Sequence, residues 1–430
     1  MNRNKVFQNA KWIVGCKILQ SLLNLVVGML SARYLGPSNY GLISYAASIV
    51  GFVVPVMQLG MRSTLVREYI EREQQEGAVL GTSLVMSMVS GIACMIAVAG
   101  FVSLANPGEP LTLAVAVLYS ISLPLQAMEL AQYWFQAKLL SKFPSLTMLG
   151  AYLVSSVYKI FLLSTGKSVC WFAVAHAVEY IITGSALLLI YGKQGNGKLS
   201  FSFLLAKELF ARSKYYIISG LMGMVFASTD RVMLKLLVGE AENGIYSAAV
   251  VSAGAVNFVY AAIIDSARPA ILGCKKENRE GYENRLTGLY SVITYLALLE
   301  SVFVTIFAEP IIWVLYGNAY LAAVPVLRIV VWYIAFSYMG TVRNIWILAE
   351  NKQSLLWVIN LSGAGMNVLL NAVLIPTWGA CGAAAASVLT QFLTNVVMGF
   401  VLKPIRPNNK LLIKALNPGL LLRIIREHKN

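Results

Sequence analysis

Twelve apolar segments, each long enough to cross a lipid bilayer, constrain the fold of this chain more than any other feature of its sequence. A helix needs about 20 apolar residues to cross the roughly 30 Å of hydrocarbon in a bilayer. Two sets of six such segments cover residues 12–32, 41–61, 79–103, 111–136, 146–164, 169–191, 214–238, 244–272, 287–308, 323–348, 354–375 and 379–402. Because an isolated backbone in lipid satisfies its hydrogen bonds only within a helix, the sequence predicts an all-α polytopic membrane protein.

The basic residues indicate how these segments are oriented. The net charge is +15 and only 12% of residues are charged, against roughly 25% in soluble proteins. The cations are not clustered on a soluble domain, and no nucleic-acid-binding motif is visible, so we exclude a nucleic-acid partner. Of the 34 basic residues, 25 fall at the termini and in alternate loops, whereas the opposite loops hold only Arg33 and Lys167. The positive-inside rule therefore predicts that both termini are cytoplasmic.

The two sets of segments predict a duplicated bundle. Arg33 precedes a turn that leads through Gly41 into the second segment, and Gly244 follows a similar turn 203 residues later. Six segments in each half orient both halves alike, which predicts a parallel repeat. We expect lobes over residues 1–191 and 214–402, a cytoplasmic linker over 192–213 and a basic cytoplasmic tail over 403–430. Within the linker, 201–210 suggests a short interfacial helix. In the tail, 411–425 suggests a helix pair on the inner leaflet, the alternative being a solvated tail.

Charged residues within the apolar segments indicate a hydrated cavity. A charge near the centre of a lipid-embedded helix costs about 2.5–3.5 kcal/mol on insertion scales, so such residues face protein or water. Cations outnumber acids in these segments, and guanidinium groups suit phosphate oxygens. The candidate cargo-binding cations are Lys17, Lys159, Arg231, Arg268 and Arg343; the candidate ion-responsive acids are Glu129, Asp230 and Asp265. Asp265 and Arg268 alternatively pair with each other at i and i+3.

No constellation of catalytic residues is visible in the sequence. The two histidines are His176, which we interpret as a core residue, and His428 in the tail. No metal-ligand spacing is present, and no paired acids lie in an outer loop. The sequence therefore predicts a protein that is not an enzyme and that has no cofactor or metal.

Two hairpin motifs resemble those of Wzx-type polysaccharide flippases, within the multidrug/oligosaccharidyl-lipid/polysaccharide exporter superfamily. These motifs are Arg33-Tyr-Leu-Gly-Pro-Ser-Asn-Tyr-Gly, and Thr229-Asp-Arg together with Gly244-Ile-Tyr-Ser-Ala-Ala. The resemblance covers the whole chain and implies two six-helix lobes around a cationic lumen. Its charged lumen positions fall on Asp230 and Arg231, with Arg33 at the first hairpin. The absence of a deep arginine from the first segment makes a peptidoglycan precursor a poorer expectation.

The resemblance also implies a cargo and a mechanism. The cargo is an undecaprenyl-diphosphate-linked oligosaccharide, moved to the periplasmic leaflet of the bacterial inner membrane by alternating access for O-antigen, lipopolysaccharide or capsule synthesis. Coupling to a proton or sodium gradient would involve the candidate acids, and a polysaccharide polymerase and chain-length regulator are expected partners. Two alternatives remain open at this point: a multidrug or cation antiporter of the same superfamily, and a non-transporting membrane scaffold of a glycan assembly complex.

Overall fold

In a computed structural model, the chain is helical along almost all of the part that the structure describes, residues 3–195 and 197–419, and these residues contain no β-strand. The helices of the first half are α1 (Arg3–Met57), α2 (Leu65–Glu71), α3 (Glu76–Ala105), α4 (Pro110–Ser120), α5 (Ser122–Gln126), α6 (Gln132–Ala137), α7 (Lys142–Ser164), α8 (Val169–Gln194) and α9 (Phe203–Leu237). Those of the second half are α10 (Glu240–Ala253), α11 (Asn257–Glu277), α12 (Arg279–Tyr316), α13 (Ala323–Val330), α14 (Trp332–Ala349), α15 (Ser354–Phe392), α16 (Met398–Val401) and α17 (Arg406–Ala415).

The twelve predicted membrane spans are all present as helices. Ten stretches of the described chain are long and apolar enough to cross a membrane. Two of these stretches, Gly15–Met57 and Ser354–Val401, each combine two predicted spans. The helix axis is interrupted between the members of each pair, at Gly36 and at Gly379, where the backbone leaves the helical region. The predicted all-α membrane fold with about twelve spans is therefore confirmed.

The turn glycines at the start of each half repeat at the same interval as the sequence motif. Gly36 has φ 72° and ψ 170°, and Gly239 has φ 125° and ψ 175°. Only glycine adopts this backbone region readily. Gly36 and Gly239 are 203 residues apart, as are Gly41 and Gly244. The repeat inferred from the spacing of the hairpin glycines therefore also appears in the backbone conformation of the chain.

The residues pack into two compact units, 1–236 and 237–430. The core of the first unit contains Tyr45 and Ile49 of α1, Val98 of α3, Val115 of α4 and Ala173 of α8. Helix α9 belongs almost entirely to the first unit. The division into lobes over 1–191 and 214–402 stays a prediction.

The linker is hydrogen-bonded to the first turns of α3. The Ser200 N–H donates to the Gly77 carbonyl (3.3 Å), and the Ser202 N–H donates to Thr82 Oγ1 (3.1 Å). A Cβ at Gly77 or Gly81 would lie 2.3 or 2.5 Å from a linker carbonyl oxygen, so only glycine permits this approach. The expected short helix over 201–210 is not separate, because it continues into the span as α9.

An ion-pair cluster lies beside the linker on the side predicted to be cytoplasmic. Glu68, which is buried, accepts hydrogen bonds from Arg72 (3.1 Å) and Arg212 (2.9 Å). Arg212 also donates to Glu71 (3.0 Å). Hydrogen bonds from Arg67 and Arg212 lower the pKa of Glu71. The cluster joins α2, in the loop between two spans, to the first turns of α9.

The tail begins with a helix, but α17 starts at Arg406 rather than at the predicted residue 411, and most of its apolar residues are covered by other parts of the chain rather than left free for the inner leaflet. Helix α17 buries Leu411, Leu412 and Ala415 and exposes Lys410 and Lys414. The second half of the expected helix pair extends beyond residue 419 and therefore lies outside the described residues.

Candidate functional site

Polar side chains from α5, α8 and the 3₁₀ turn Ala127–Ala131 meet within the first unit. The Gln126 amide donates to the Tyr180 hydroxyl (2.5 Å). His176 Nδ1 lies 3.9 Å from Glu179 Oε2 on the same face of α8. Glu129 and Glu179 are close enough to interact electrostatically. We call Arg62, Gln126, Glu129, Lys159, His176, Glu179 and Tyr180 the polar cluster.

Two cations complete the polar cluster. Lys159 on α7 places Nζ 5.9 Å from the centre of the Tyr152 ring and interacts electrostatically with Glu179. Arg62, in the turn between α1 and α2, interacts with Glu129. Within the spans, Lys159 therefore offsets part of the negative charge of the two carboxylates, which lowers the cost of placing them inside a membrane protein, whereas Arg62 is exposed at the edge of the cluster.

Aromatic rings surround His176. The Tyr119 ring meets it edge-on with centroids 4.7 Å apart, and the Tyr180 ring stacks on it at 5.8 Å. Tyr152, beside Lys159, donates through its hydroxyl to Asn24 Oδ1 of α1 (3.0 Å). Rings, amides and carboxylates in one place suit a polyhydroxylated guest, because sugars present both apolar faces and hydroxyl groups.

The polar cluster is half-buried rather than sealed. The side chains of His176 and Glu179 are 38% and 17% exposed. His176 Nδ1 and Gln126 Oε1 have no hydrogen-bond partner among the described residues. Because charged groups at membrane depth avoid lipid, we interpret the exposed part of the cluster as the wall of a hydrated cavity.

Asp230 and Arg231 lie near the end of α9, within the first unit. Asp230 is buried, whereas Arg231 is half-buried and donates through Nη1 to the Ala227 carbonyl (3.3 Å). Arg231 Nε has no hydrogen-bond partner in the described part of the chain, and the guanidinium interacts electrostatically with Tyr40. Arg231 therefore retains capacity to bind an anion.

Lys235, one turn further along α9, is paired instead. Its buried ammonium donates to Glu109 between α3 and α4, and it lies 5.8 Å from the centre of the Tyr45 ring. Hydrogen bonds from Lys235 and Thr112 lower the pKa of Glu109. This ion pair fixes the end of α9 against the first unit.

The predicted residues of α1 are exposed. Lys17 lies on an exposed face and Arg33 precedes the break at Gly36. Among the described residues, neither side chain contacts the polar cluster. Their part in binding cargo stays a prediction.

In the second unit, Asp265 and Arg268 form the i, i+3 pair that the sequence left as an alternative, with 3.2 Å between Oδ1 and Nη2. Arg343 is buried, and its Nη1 donates to the Thr394 carbonyl (2.8 Å). Thr394 lies in a π-helical turn, Leu393–Val397, where the main-chain bonding pattern changes. Arg343 was expected to face cargo; its Nη1 is bound to the backbone, its Nε has no hydrogen-bond partner among the described residues, and a role in cargo binding stays a prediction.

Sequence reasoning missed several members of the polar cluster. The sequence did not single out Arg62 or Glu179 as site residues, and His176 was interpreted as a core residue. The available signal was the matching i, i+3 spacing of Gln126 with Glu129 and of His176 with Glu179. No group of three metal-ligating His, Cys, Asp or Glu side chains occurs among the residues described.

Residues 6–275 match the family described as polysaccharide biosynthesis protein. The chain belongs to this family. The match begins before the first span and ends within the last turn of α11, so it includes the polar cluster, Asp230 and Arg231. The family resemblance drawn from the two hairpin motifs is therefore confirmed.

Two relatives of this family member are archaeal. An uncharacterized membrane protein of Methanocaldococcus jannaschii is 25% identical over 237 residues, which are 50% of this chain and 45% of that protein. The probable low-salt glycan biosynthesis flippase Agl15 of Haloferax volcanii is 20% identical over 377 residues, which are 85% of this chain and 77% of that protein. The matched region thus spans less than half the length of the first relative.

Solved structures establish the fold of this family member. The lipid II flippase MurJ in an inward closed conformation superposes with a TM-score of 0.71 at 16% identity, over 96% of this chain and 92% of that one. A multidrug resistance MATE family transporter of the MOP superfamily, in an inward-facing conformation, gives 0.66 at 14% identity, over 93% and 96%. The chain therefore shares the fold of these two proteins.

Proposed function

We propose that this protein is a flippase for lipid-linked oligosaccharide, moving undecaprenyl-diphosphate-linked repeat units from the cytoplasmic to the outer leaflet of a bacterial cytoplasmic membrane. The observation that carries the proposal is the polar cluster, which joins ionic, amide and aromatic groups in one half-buried place within the spans. The family of the chain and the likeness to the Haloferax glycan biosynthesis flippase support the same cargo class.

The groups of the cluster match the parts of this cargo. Carboxylates such as Glu129 and Glu179 accept hydrogen bonds from sugar hydroxyls, and the Tyr180 ring offers a face on which a sugar ring can stack. The diphosphate requires cations, which Lys159 and Arg231 supply within the same unit. The polyprenyl tail stays in lipid, because transferring it into a polar cavity would expose apolar surface.

Transport then requires a change of access rather than chemistry. The cavity opens to the cytoplasmic leaflet, accepts the glycan, and reopens to the other side. Among the three candidate ion-responsive acids, Glu129 is the one that we retain for gradient coupling, because it belongs to the polar cluster, whereas Asp265 is paired with Arg268 and Asp230 is not a member of the cluster.

A complementation experiment tests the proposal. A strain deleted for this gene is complemented with wild type, Lys159→Gln, Arg231→Gln or the control Lys167→Gln, which removes a cation from an exposed outer turn. We expect wild type and the control to restore surface glycan. The two intramembrane variants reach the membrane at normal levels and leave lipid-linked precursor accumulated.

Three results would contradict the proposal. If deletion leaves surface glycan unchanged and precursor does not accumulate, the cargo assignment is wrong. If deletion instead raises sensitivity to cationic drugs, the antiporter alternative replaces it. Full glycan export by both intramembrane variants would favour the non-transporting scaffold.

A further inference from the structure

A cavity of about 1040 Å³ lies within the second unit, between α11, α12 and α17. Helix α17 forms one wall and is held by two side-chain contacts to α12. The Tyr290 hydroxyl donates to Asn408 Oδ1 (2.9 Å), and the Tyr295 hydroxyl donates to the Leu416 carbonyl (2.7 Å). The cavity is therefore bounded by three anchored helices, and no part of the polar cluster contributes to it.

The lining of this cavity is amphipathic. Ile263 and Ile271 of α11, Leu289 and Val292 of α12 and Leu411 of α17 form an apolar wall. The other part of the lining is polar and includes Arg285, Lys414 and Asn417. A ligand that fills such a space has an apolar chain and a polar or charged end.

The charges at the polar end favour an anion. Glu283 is engaged by Arg279 (3.3 Å), one turn before it on α12. In the described part of the chain, no acid lies within ion-pair distance of Arg285 or Lys414, while Glu280 contributes one opposing charge at the rim. Arg285 bonds only weakly to the Ala270 carbonyl (3.4 Å), so most of its donors stay available. Two cations on two helices thus face one exposed acid.

The position of the cavity identifies its source of ligand. The turn between α11 and α12 carries Lys275, Lys276 and Arg279, and the positive-inside rule assigns this turn to the cytoplasmic side. The cytoplasmic leaflet is negatively charged, and basic pockets between spans on this side suit lipid head groups. We propose that this cavity binds an anionic phospholipid, whose phosphate contacts Arg285 and Lys414 and whose acyl chain follows the apolar wall.

One lipid bound in this way connects two separate elements. Its phosphate would join Arg285 on α12 to Lys414 on α17, adding to the two tyrosine contacts. Docking of the tail helix would then depend on the anionic lipid content of the membrane. The site lies outside the proposed cargo cluster, and its existence does not rest on the proposed function.

Native mass spectrometry of the full-length protein, titrated with phosphatidylglycerol or phosphatidylcholine, tests the site without any glycan or ion gradient. Each basic residue near an anionic lipid surface strengthens the binding of anionic lipid. Removing two of them, in the double variant Arg285→Gln/Lys414→Gln, should therefore weaken phosphatidylglycerol binding about thirtyfold. The matched control, Lys403→Gln/Lys410→Gln, makes the same charge change at two exposed positions near the start of α17 and leaves the cavity lining intact. We expect its binding to stay within about twofold of wild type. Ala267→Trp, which places a bulky ring in the apolar part of the cavity while keeping both cations, should also weaken binding.

Three results would overturn the assignment. Equal loss in both double variants would mean that the protein attracts lipid through its overall charge. Equal binding of phosphatidylcholine would mean that no anion is selected. Displacement of phosphatidylglycerol by undecaprenyl phosphate at an equal or lower concentration would assign the cavity to the lipid-linked cargo instead.

Discussion

Two glycines of the same helix should respond in opposite ways to the same substitution. Gly28 and Gly36 are both in α1, and an added Cβ would meet no atom within 4 Å at either position. Gly28 lies in the first span with helical conformation, whereas Gly36 has φ 72° and ψ 170°. Replacing either by alanine therefore changes backbone preference without creating a clash.

The expected magnitudes follow from these conformations. Alanine at position 36 would be held in a region that is nearly restricted to glycine, which costs about 1–3 kcal/mol. Alanine at position 28 should stabilise the helix by about 0.5–1 kcal/mol. The two variants thus differ by about 1.5–4 kcal/mol, which separates their melting temperatures by roughly 3–16 °C for a unit of this size.

Thermal unfolding of the purified protein in detergent, followed by tryptophan fluorescence, measures this difference. Gly239→Ala provides a second test, because Gly239 occupies the equivalent turn in the other half. A Gly36→Ala protein that melts at or above the temperature of Gly28→Ala would refute the requirement for this conformation.

Three further predictions concern charges. Glu109→Gln should lower the free energy of unfolding by about 2 kcal/mol, because it leaves the buried Lys235 ammonium unpaired, whereas Glu109→Gln/Lys235→Met should recover most of that loss in a thermal melt. Because the pKa of Glu109 is lowered in the folded protein, wild type should lose this contribution as pH falls below about 4.5, and Glu109→Gln should show less acid destabilisation over the same range. Glu68→Gln should weaken the contacts of residue 68 to Arg72 and Arg212 and so increase protease cleavage of the linker several-fold. Unchanged cleavage would contradict a role of the ion-pair cluster in holding the linker. Arg343→Met should lower stability by about 1–2 kcal/mol through the lost bond to Thr394, with glycan export that falls only in proportion to protein level.

The membrane fold could be predicted from sequence because hydropathy and main-chain hydrogen bonding decide it. Stretches such as Lys142–Ser164 and Val169–Gln194 match their predicted spans, 146–164 and 169–191, to within four residues at each end. The offset of 203 residues between Gly41 and Gly244 also predicted the repeat, which the backbone conformations of Gly36 and Gly239 show at the same interval.

Which residues meet at the candidate site could be predicted less well from the sequence. Glu129, Lys159 and His176 are far apart in sequence and meet only because three helices pack together, which hydropathy does not specify. Arg343 was expected to face cargo because of its depth, but the carbonyl that it binds depends on a π-helical turn without a hydropathy signature. Depth in the membrane thus indicated which residues are unusual, but only packing showed their neighbours.

The close packing of the linker on Gly77 and Gly81 determines where this protein can be divided into two fragments. A fragment that ends at residue 191, after its sixth span, would leave Gly77 and Gly81 without the backbone that covers them and would leave Glu68 without Arg212. A fragment that ends at residue 236 keeps all of these contacts. For expression as two co-produced pieces, the natural cut is therefore at the turn around Gly239, and the segment that connects the halves in sequence travels with the first of them.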